Sequence, residues 1–118
     1  MNKGQHYEEQ AAEFLQHAGL KVLERNFSCK LGEIDIICKQ QNTLVFVEVR
    51  YRRSARFGSA SASITAAKQR RLLRTAALFL QRRHSATPPP CRFDVITFHR
   101  SQSRQEDEIQ WLKNAITM

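Results

Sequence analysis

The residues best suited to chemistry are two carboxylates, Asp35 and Glu48, in the segment GEIDIICKQQNTLVFVEVR at 32–50. Both halves of this segment are rich in β-branched residues, which predicts strands at 33–39 and 43–50 joined by a turn. Side chains alternate between the two faces of a strand. On the first strand, alternation places Asp35 on the face opposite to Ile34, Ile36 and Cys38.

The register of this hairpin decides whether the two carboxylates meet. If residues 41–42 form a two-residue turn, Asp35 falls opposite Glu48, and Glu33 falls opposite Arg50. Directly opposed residues have Cβ atoms roughly 4.5–5.5 Å apart, so the carboxylates would converge. A slip of one residue would send them to opposite faces.

A pair of opposed carboxylates needs a positive partner, because like charges facing each other destabilise a sheet. Hard oxygen ligands suit Mg²⁺ or Mn²⁺. Such an ion activates water and stabilises charge that develops on a phosphate. The alternative, which the residues alone leave open, is that Asp35 and Glu48 pair with surface arginines on a solvated face.

These residues fit the pattern D…ExK on adjacent strands after an N-terminal helix, which is typical of the PD-(D/E)xK nucleases and their restriction-endonuclease-like fold. The chain resembles them through Asp35, Glu48, Val49 and Arg50. It is more similar still to the YraN-like family of uncharacterised bacterial proteins, which look like distant relatives of archaeal Holliday junction resolvases. The segments that carry this resemblance cover nearly the whole chain: GQHYEEQAAEFLQHAGL, RNF, GEIDII, LVFVEVRYRR, FGSASASI, KQRRL, CRFDVITF and IQWLKNAI.

The resemblance implies a metal-dependent endonuclease acting on DNA, including branched or recombination intermediates, with Mg²⁺ or Mn²⁺ as cofactor. Asp35, Glu48 and Arg50 would be its catalytic residues. Glu8 on the first helix would join Asp35 and Glu48 as a metal ligand; its alternative is an exposed helix glutamate. Relatives of the resolvase type act as dimers, so the resemblance also implies a homodimer.

Position 50 departs from the nuclease motif, which has lysine there. Lysine can shift its pKa and help to handle the attacking water, whereas arginine stays charged and cannot act as a base. Arg50 can still hold a phosphate or stabilise charge in the transition state. This departure leaves room for an alternative function, a non-catalytic nucleic-acid-binding protein that keeps the nuclease fold.

The basic residues favour nucleic acid as the partner. The net charge is +8, from 19 basic and 11 acidic residues, and such a surplus on a small domain favours a polyanion. A basic loop at 51–63 follows the second carboxylate, and a basic helix follows the loop. The predicted contacts with nucleic acid are Arg50, Arg52, Arg53, Arg56, Lys68 and Arg71. A flexible solvated loop and a solvated helix face are the alternatives, and Glu33 and Gln69 are weaker candidates for supporting the site.

The remaining elements must position the hairpin. Apolar spacing and capping residues predict a helix at 5–18 that ends at Gly19 and a helix at 65–83 with Thr65 as N-cap. Further strands are predicted at 21–27, 91–99 and 109–113. The order α-β-β-β-α-β-β predicts a mixed α/β fold, a restriction-endonuclease-like single domain over residues 1–118. Asp94 is interpreted as an ion-pair partner and Trp111 as a packing residue.

Composition excludes several other classes of protein. The three cysteines, Cys29, Cys38 and Cys91, form neither a disulfide framework nor a CxxC metal site. No apolar run approaches the ~20 residues of a membrane span. The first ten residues lack the apolar region of a signal peptide. We therefore expect a cytoplasmic protein without a membrane partner.

Overall fold

A computed structural model describes residues 3–52, 64–83, 87–100 and 106–117. The elements along the chain are α1 (Lys3–His17), β1 (Lys21–Cys29), β2 (Gly32–Gln40), β3 (Thr43–Arg52), α2 (Ala66–Arg83), β4 (Cys91–Arg100) and β5 (Asp107–Ile116). The five strands form one sheet in chain order. Only β3 and β4 are parallel, and α2 supplies the crossover that a parallel pair requires. The predicted α/β class and element order are confirmed.

Each face of the sheet is covered by one helix. On one face, α1 buries Ala11 and Leu15 against a core that includes Val47. On the opposite face, α2 buries Leu72 and Phe79 against a separate core. The result is a three-layer arrangement with two hydrophobic cores, and no helix among the described residues is long and apolar enough to cross a membrane.

The predicted C-terminal end of α1 at Gly19 and the predicted N-cap of α2 are both confirmed. Gly19 lies two residues after α1 and is left-handed, with φ 95°, which suits a residue without a Cβ atom. Its backbone N–H donates to the carbonyl of Gln16 at 3.1 Å. The backbone N–H of Lys68 donates to Thr65 Oγ1 at 3.1 Å, so Thr65 caps α2 as expected.

β1 and β2 exchange faces partway along their length, which strict alternation did not predict. Arg25 pairs with Ile36 on the α1 face, yet Phe27 and its partner Ile34 belong to the core under α2. Between these pairs lies Asn26, which is left-handed with φ 57°. The expectation that Ile34 shares a face with Ile36 is therefore wrong, because the alternation of β2 breaks at Asp35, beside the left-handed Asn26 of β1.

All five strands extend further than predicted, and the extensions of β3 and β5 change how residues are assigned. β3 continues to Arg52, so Tyr51 belongs to the strand and not to a loop; residues 53–63 lie outside the described part of the chain. β5 covers Asp107–Ile116 instead of 109–113. Most of its side chains are exposed because it is an edge strand. Its exposed positions carry polar residues, so the hydrophobic pattern predicted only part of the strand.

Candidate metal centre

The predicted register of the β2–β3 hairpin is confirmed. Residue pairs run from Gln40 with Thr43 to Ile36 with Val47. The pairing stops there, one residue before Asp35 and Glu48. The two carboxylates therefore lie where β2 and β3 begin to separate, at the end of a well-defined ladder.

Asp35 fills the gap that opens between the strands. Its Oδ2 atom accepts a hydrogen bond from the backbone N–H of Val49 at 2.9 Å, so a side chain takes the place of a strand carbonyl. Burial, together with the hydrogen bond and the negative charge of Glu48, raises the pKa of Asp35 to about 8. The structure thus brings the two predicted carboxylates together on adjacent strands.

Two further carboxylates converge on Asp35. Oxygen atoms of Glu8, Glu33 and Asp35 all lie within 4.8 Å of one another. Burial raises the pKa of Glu8 and of Glu33, and in each case the charge of Asp35 adds to the effect. The expected pairing of Glu33 with Arg50 is wrong, because the ladder between β2 and β3 ends at Ile36 and Val47, before that position.

Glu48 is a buried acid whose side chain is incompletely satisfied. It is 5% exposed, and its Oε2 atom has no hydrogen-bond partner among the described residues. Lys68 of α2 approaches that oxygen, with Nζ at 3.4 Å. This oxygen therefore has an ion-pair contact with Lys68 but no hydrogen bond, and it can accept a further donor or a cation.

Of these groups, all but Glu33 line one cavity of about 400 Å³. Its walls come from both helices and from β2 and β3, through Gly4, Tyr7, Glu8, Asp35, Glu48, Val49, Arg50, Tyr51 and Lys68. Tyr7 stacks on Tyr51, with ring centroids 4.8 Å apart, and donates a hydrogen bond to Asp107. Burial raises the pKa of Tyr7 to about 12, with the Asp107 carboxylate adding to the effect, so its hydroxyl stays protonated at neutral pH.

The other predicted site residues divide into three groups. Arg50 lines the cavity, and Arg52 ends β3 two residues further on. Gln69 donates its side-chain amide to the carbonyl of Ile64 at 3.1 Å, which fixes the start of α2 instead of supporting the carboxylates. Arg71 is exposed on α2, away from the cavity. Arg53 and Arg56 lie outside the described residues.

Asn26 is a site residue that sequence reasoning missed. With its amide nitrogen turned toward the acids, it donates to Glu8 Oε2 at 3.1 Å and to Glu33 Oε1 at 2.9 Å. Asparagine is disfavoured in strands and tolerates left-handed backbone. An asparagine within the predicted strand at 21–27 was the signal that could have drawn attention to this position.

Asp94 is a second buried acid, and its environment differs from that of Glu48. It is fully buried in β4 and accepts hydrogen bonds from Arg92 Nε, from Trp111 Nε1 and from the backbone of Asn114. The predicted ion pair is confirmed, with Arg92 as the partner. Because both oxygens are occupied, Asp94 joins β4 to β5 and has no capacity for a ligand.

Comparison with known proteins gives a family without a stated activity. Residues 7–98 match the Uncharacterised protein family UPF0102. A UPF0102 protein of Janthinobacterium sp. (strain Marseille) is 53% identical over 113 residues, covering 96% of this chain and 85% of that protein. A UPF0102 protein of Caldicellulosiruptor saccharolyticus is 48% identical over 118 residues, covering 98% of this chain and 99% of that protein.

Proposed function

Since the chain belongs to the uncharacterised protein family UPF0102, which confirms the predicted YraN-like membership but names no reaction, we propose a function from its site. The protein is a divalent-metal-dependent endonuclease that hydrolyses phosphodiester bonds in DNA. The observation that carries this proposal is the convergence of Asp35 with the buried Glu48, one oxygen of which lacks a hydrogen bond.

The carboxylates fit Mg²⁺ or Mn²⁺. Their donors are all hard oxygens, which these ions prefer, and Glu48 Oε2 is a buried acceptor with spare capacity. Asp35 and Glu48 would hold the ion, and Glu8, with a carboxylate oxygen within 4.8 Å of one on Asp35, would complete the protein ligands. When bound, such an ion stabilises negative charge on a phosphate and lowers the pKa of water.

The cationic side chains act on the substrate. Arg50 lines the cavity beside Glu48, where its guanidinium can hold a phosphate with paired hydrogen bonds. Lys68 balances the charge of Glu48 through its 3.4 Å contact and is partly exposed, so it can also turn toward a phosphate. We assign Arg50 to orienting the scissile phosphate and Lys68 to stabilising the charge that develops on it.

The kind of nucleic acid and the oligomeric state are proposed from net charge and from the family resemblance. A net charge of +8 favours a long polyanion, and the similarity to resolvases favours branched DNA and a homodimer. With DNA as the substrate, we propose a cytoplasmic location.

A second candidate is a nucleic-acid-binding protein without catalysis. Two observations favour it: arginine stands at position 50 where the nuclease motif has lysine, and the ion pair with Lys68 already neutralises Glu48. Such a protein would keep the fold and the basic surface, and the carboxylates would serve only to orient Lys68.

A cleavage assay separates the two candidates. The protein is incubated with linear, flapped and four-way DNA in Mg²⁺ or Mn²⁺, beside Asp35→Ala and Glu8→Gln. Glu9→Gln is the matched control, because Glu9 follows Glu8 on α1 but pairs with Arg25 outside the cavity. The enzyme proposal expects cleavage by the wild type and Glu9→Gln only. DNA binding without cleavage of any substrate would favour the binding protein.

A further inference from the structure

Asn26 occupies an unusual position beside the carboxylates. It lies within β1, yet its φ of 57° is left-handed, a conformation that most residues with a Cβ atom avoid. Asparagine adopts it more readily than most residues do. Its side-chain amide meets two acids at once, Glu8 at 3.1 Å and Glu33 at 2.9 Å.

The left-handed residue explains where that amide lies. Arg25 contacts Glu9 on the α1 face, whereas Phe27 contacts Phe79 on the α2 face, with ring centroids 5.2 Å apart. In a regular strand the residues on either side of Asn26 would share a face. The left-handed backbone at Asn26 sends its two neighbours to opposite faces of the sheet. Its side-chain amide then lies between Glu8 on α1 and Glu33 on β2.

A neutral double donor suits this gap. Glu8, Glu33 and Asp35 repel one another at separations within 4.8 Å. A lysine or arginine between them would hold them but would cancel the charge that attracts a cation, and a fourth acid would increase the repulsion. An amide donates one N–H to each of two carboxylates and leaves their charges intact.

We propose that Asn26 is a positioning residue that holds Glu8 and Glu33 against Asp35 and thereby sets the affinity of the site for its divalent cation. This inference rests on the proposed metal-dependent function. Asn26 contacts neither substrate nor cation in this role; it acts through the two glutamates. Groups that orient metal ligands in this way commonly change metal affinity 10–100-fold when they are removed.

The test is a calorimetric titration of the full chain with Mn²⁺. Asn26→Gly removes the amide and retains the left-handed backbone. Asn114→Gly is the matched control, because Asn114 is also left-handed, with φ 53°, but lies on β5 outside the cavity. We expect Asn26→Gly to weaken Mn²⁺ binding about tenfold, and Asn114→Gly to leave it unchanged.

A double-mutant cycle tests whether Asn26 acts through the glutamates. In a protein that already carries Glu8→Gln and Glu33→Gln, Asn26→Gly should weaken Mn²⁺ binding by much less than tenfold. Additive effects, or an equal loss in Asn114→Gly, would overturn the positioning role.

A wild type that binds no Mn²⁺ would overturn the proposed metal-dependent function, and the cycle is then repeated on thermal unfolding in EDTA. There, Asn26→Gly should lower the melting temperature more than Asn114→Gly does, and Glu8→Gln should restore part of the loss. If Glu8→Gln restores nothing, Asn26 does not hold the glutamates in place.

Discussion

The two acids buried in the centre of the sheet, Asp94 and Glu48, should respond differently when each is neutralised. In Asp94→Asn, one carboxylate oxygen becomes an NH₂ group. The Oδ1 atom now accepts from the Asn114 backbone at 2.9 Å, and Oδ2 accepts from Trp111 at 2.9 Å. Whichever oxygen is replaced, a donor then faces a donor, and Arg92 loses its ionic partner.

The loss in free energy of unfolding should be much larger for Asp94→Asn than for Glu48→Gln. Removing one partner from a buried, hydrogen-bonded ion pair costs about 3–5 kcal/mol, which applies to Asp94→Asn. Glu48→Gln loses a contact with Lys68, whose side chain is 36% exposed, worth about 0–1 kcal/mol. The glutamine oxygen can still accept the hydrogen bond that the protonated Asp35 carboxyl makes to Glu48. The free energy of unfolding of Glu48→Gln should therefore stay within about 1 kcal/mol of the wild type.

Thermal and urea unfolding in EDTA measure both values. For a chain of this length Asp94→Asn should lower the melting temperature by about 10–20 °C, and Glu48→Gln should change it by only a few degrees. Asp107→Asn is the control for removing an exposed acid, since an amide oxygen can still accept the bond from Tyr7. Equal destabilisation by Asp94→Asn and Glu48→Gln would refute the reasoning that an acid with an unsatisfied oxygen is kept for a ligand.

Three further predictions concern the cavity and its surroundings. Arg50→Lys should preserve or increase cleavage in the same DNA assay, because lysine keeps the positive charge and matches the nuclease motif; loss of cleavage would mean that phosphate binding needs the guanidinium. Because the pKa of Asp35 is raised from 3.8 to about 8, the folded protein holds this proton more tightly than the unfolded chain, so stability in EDTA should fall as pH rises through that interval. Mg²⁺ should then raise the melting temperature more at pH 8.5 than at pH 6, and equal shifts would argue against binding at Asp35. Replacing Arg52, Arg53 and Arg56 together by glutamate should weaken DNA binding and reduce its dependence on salt concentration, as measured by fluorescence anisotropy. Unchanged binding would argue against a role for these three arginines.

The hairpin shows what a sequence pattern can predict. A two-residue turn and alternating burial define one register for β2 and β3, and the structure has that register. Asp35 and Glu48 could therefore be placed together from local information alone. Glu8 could not, because periodicity does not distinguish it from Glu9 on the surface of α1; only the resemblance selected it.

The failures have identifiable physical causes. Alternation cannot anticipate a residue such as Asn26, whose backbone reverses the faces of a strand. The break in alternation beside it places Ile34 in the α2 core. Glu33 and Arg50 do not pair for a separate reason, which is that the ladder between β2 and β3 ends at Ile36 and Val47. The contact of Lys68 with Glu48 depends on how α2 crosses the sheet, a tertiary property that spacing within the helix does not contain.

The separation of β2 from β3 has a consequence for the cooperativity of the molecule. A sheet normally isolates the helices on its two sides, and here α1 and α2 bury different cores. At the cavity, however, Glu8 from one outer layer and Lys68 from the other reach the same opening. A ligand held there would connect the outer layers directly. Opening of either helix would then release it, so that occupancy would favour unfolding of the three layers as one unit.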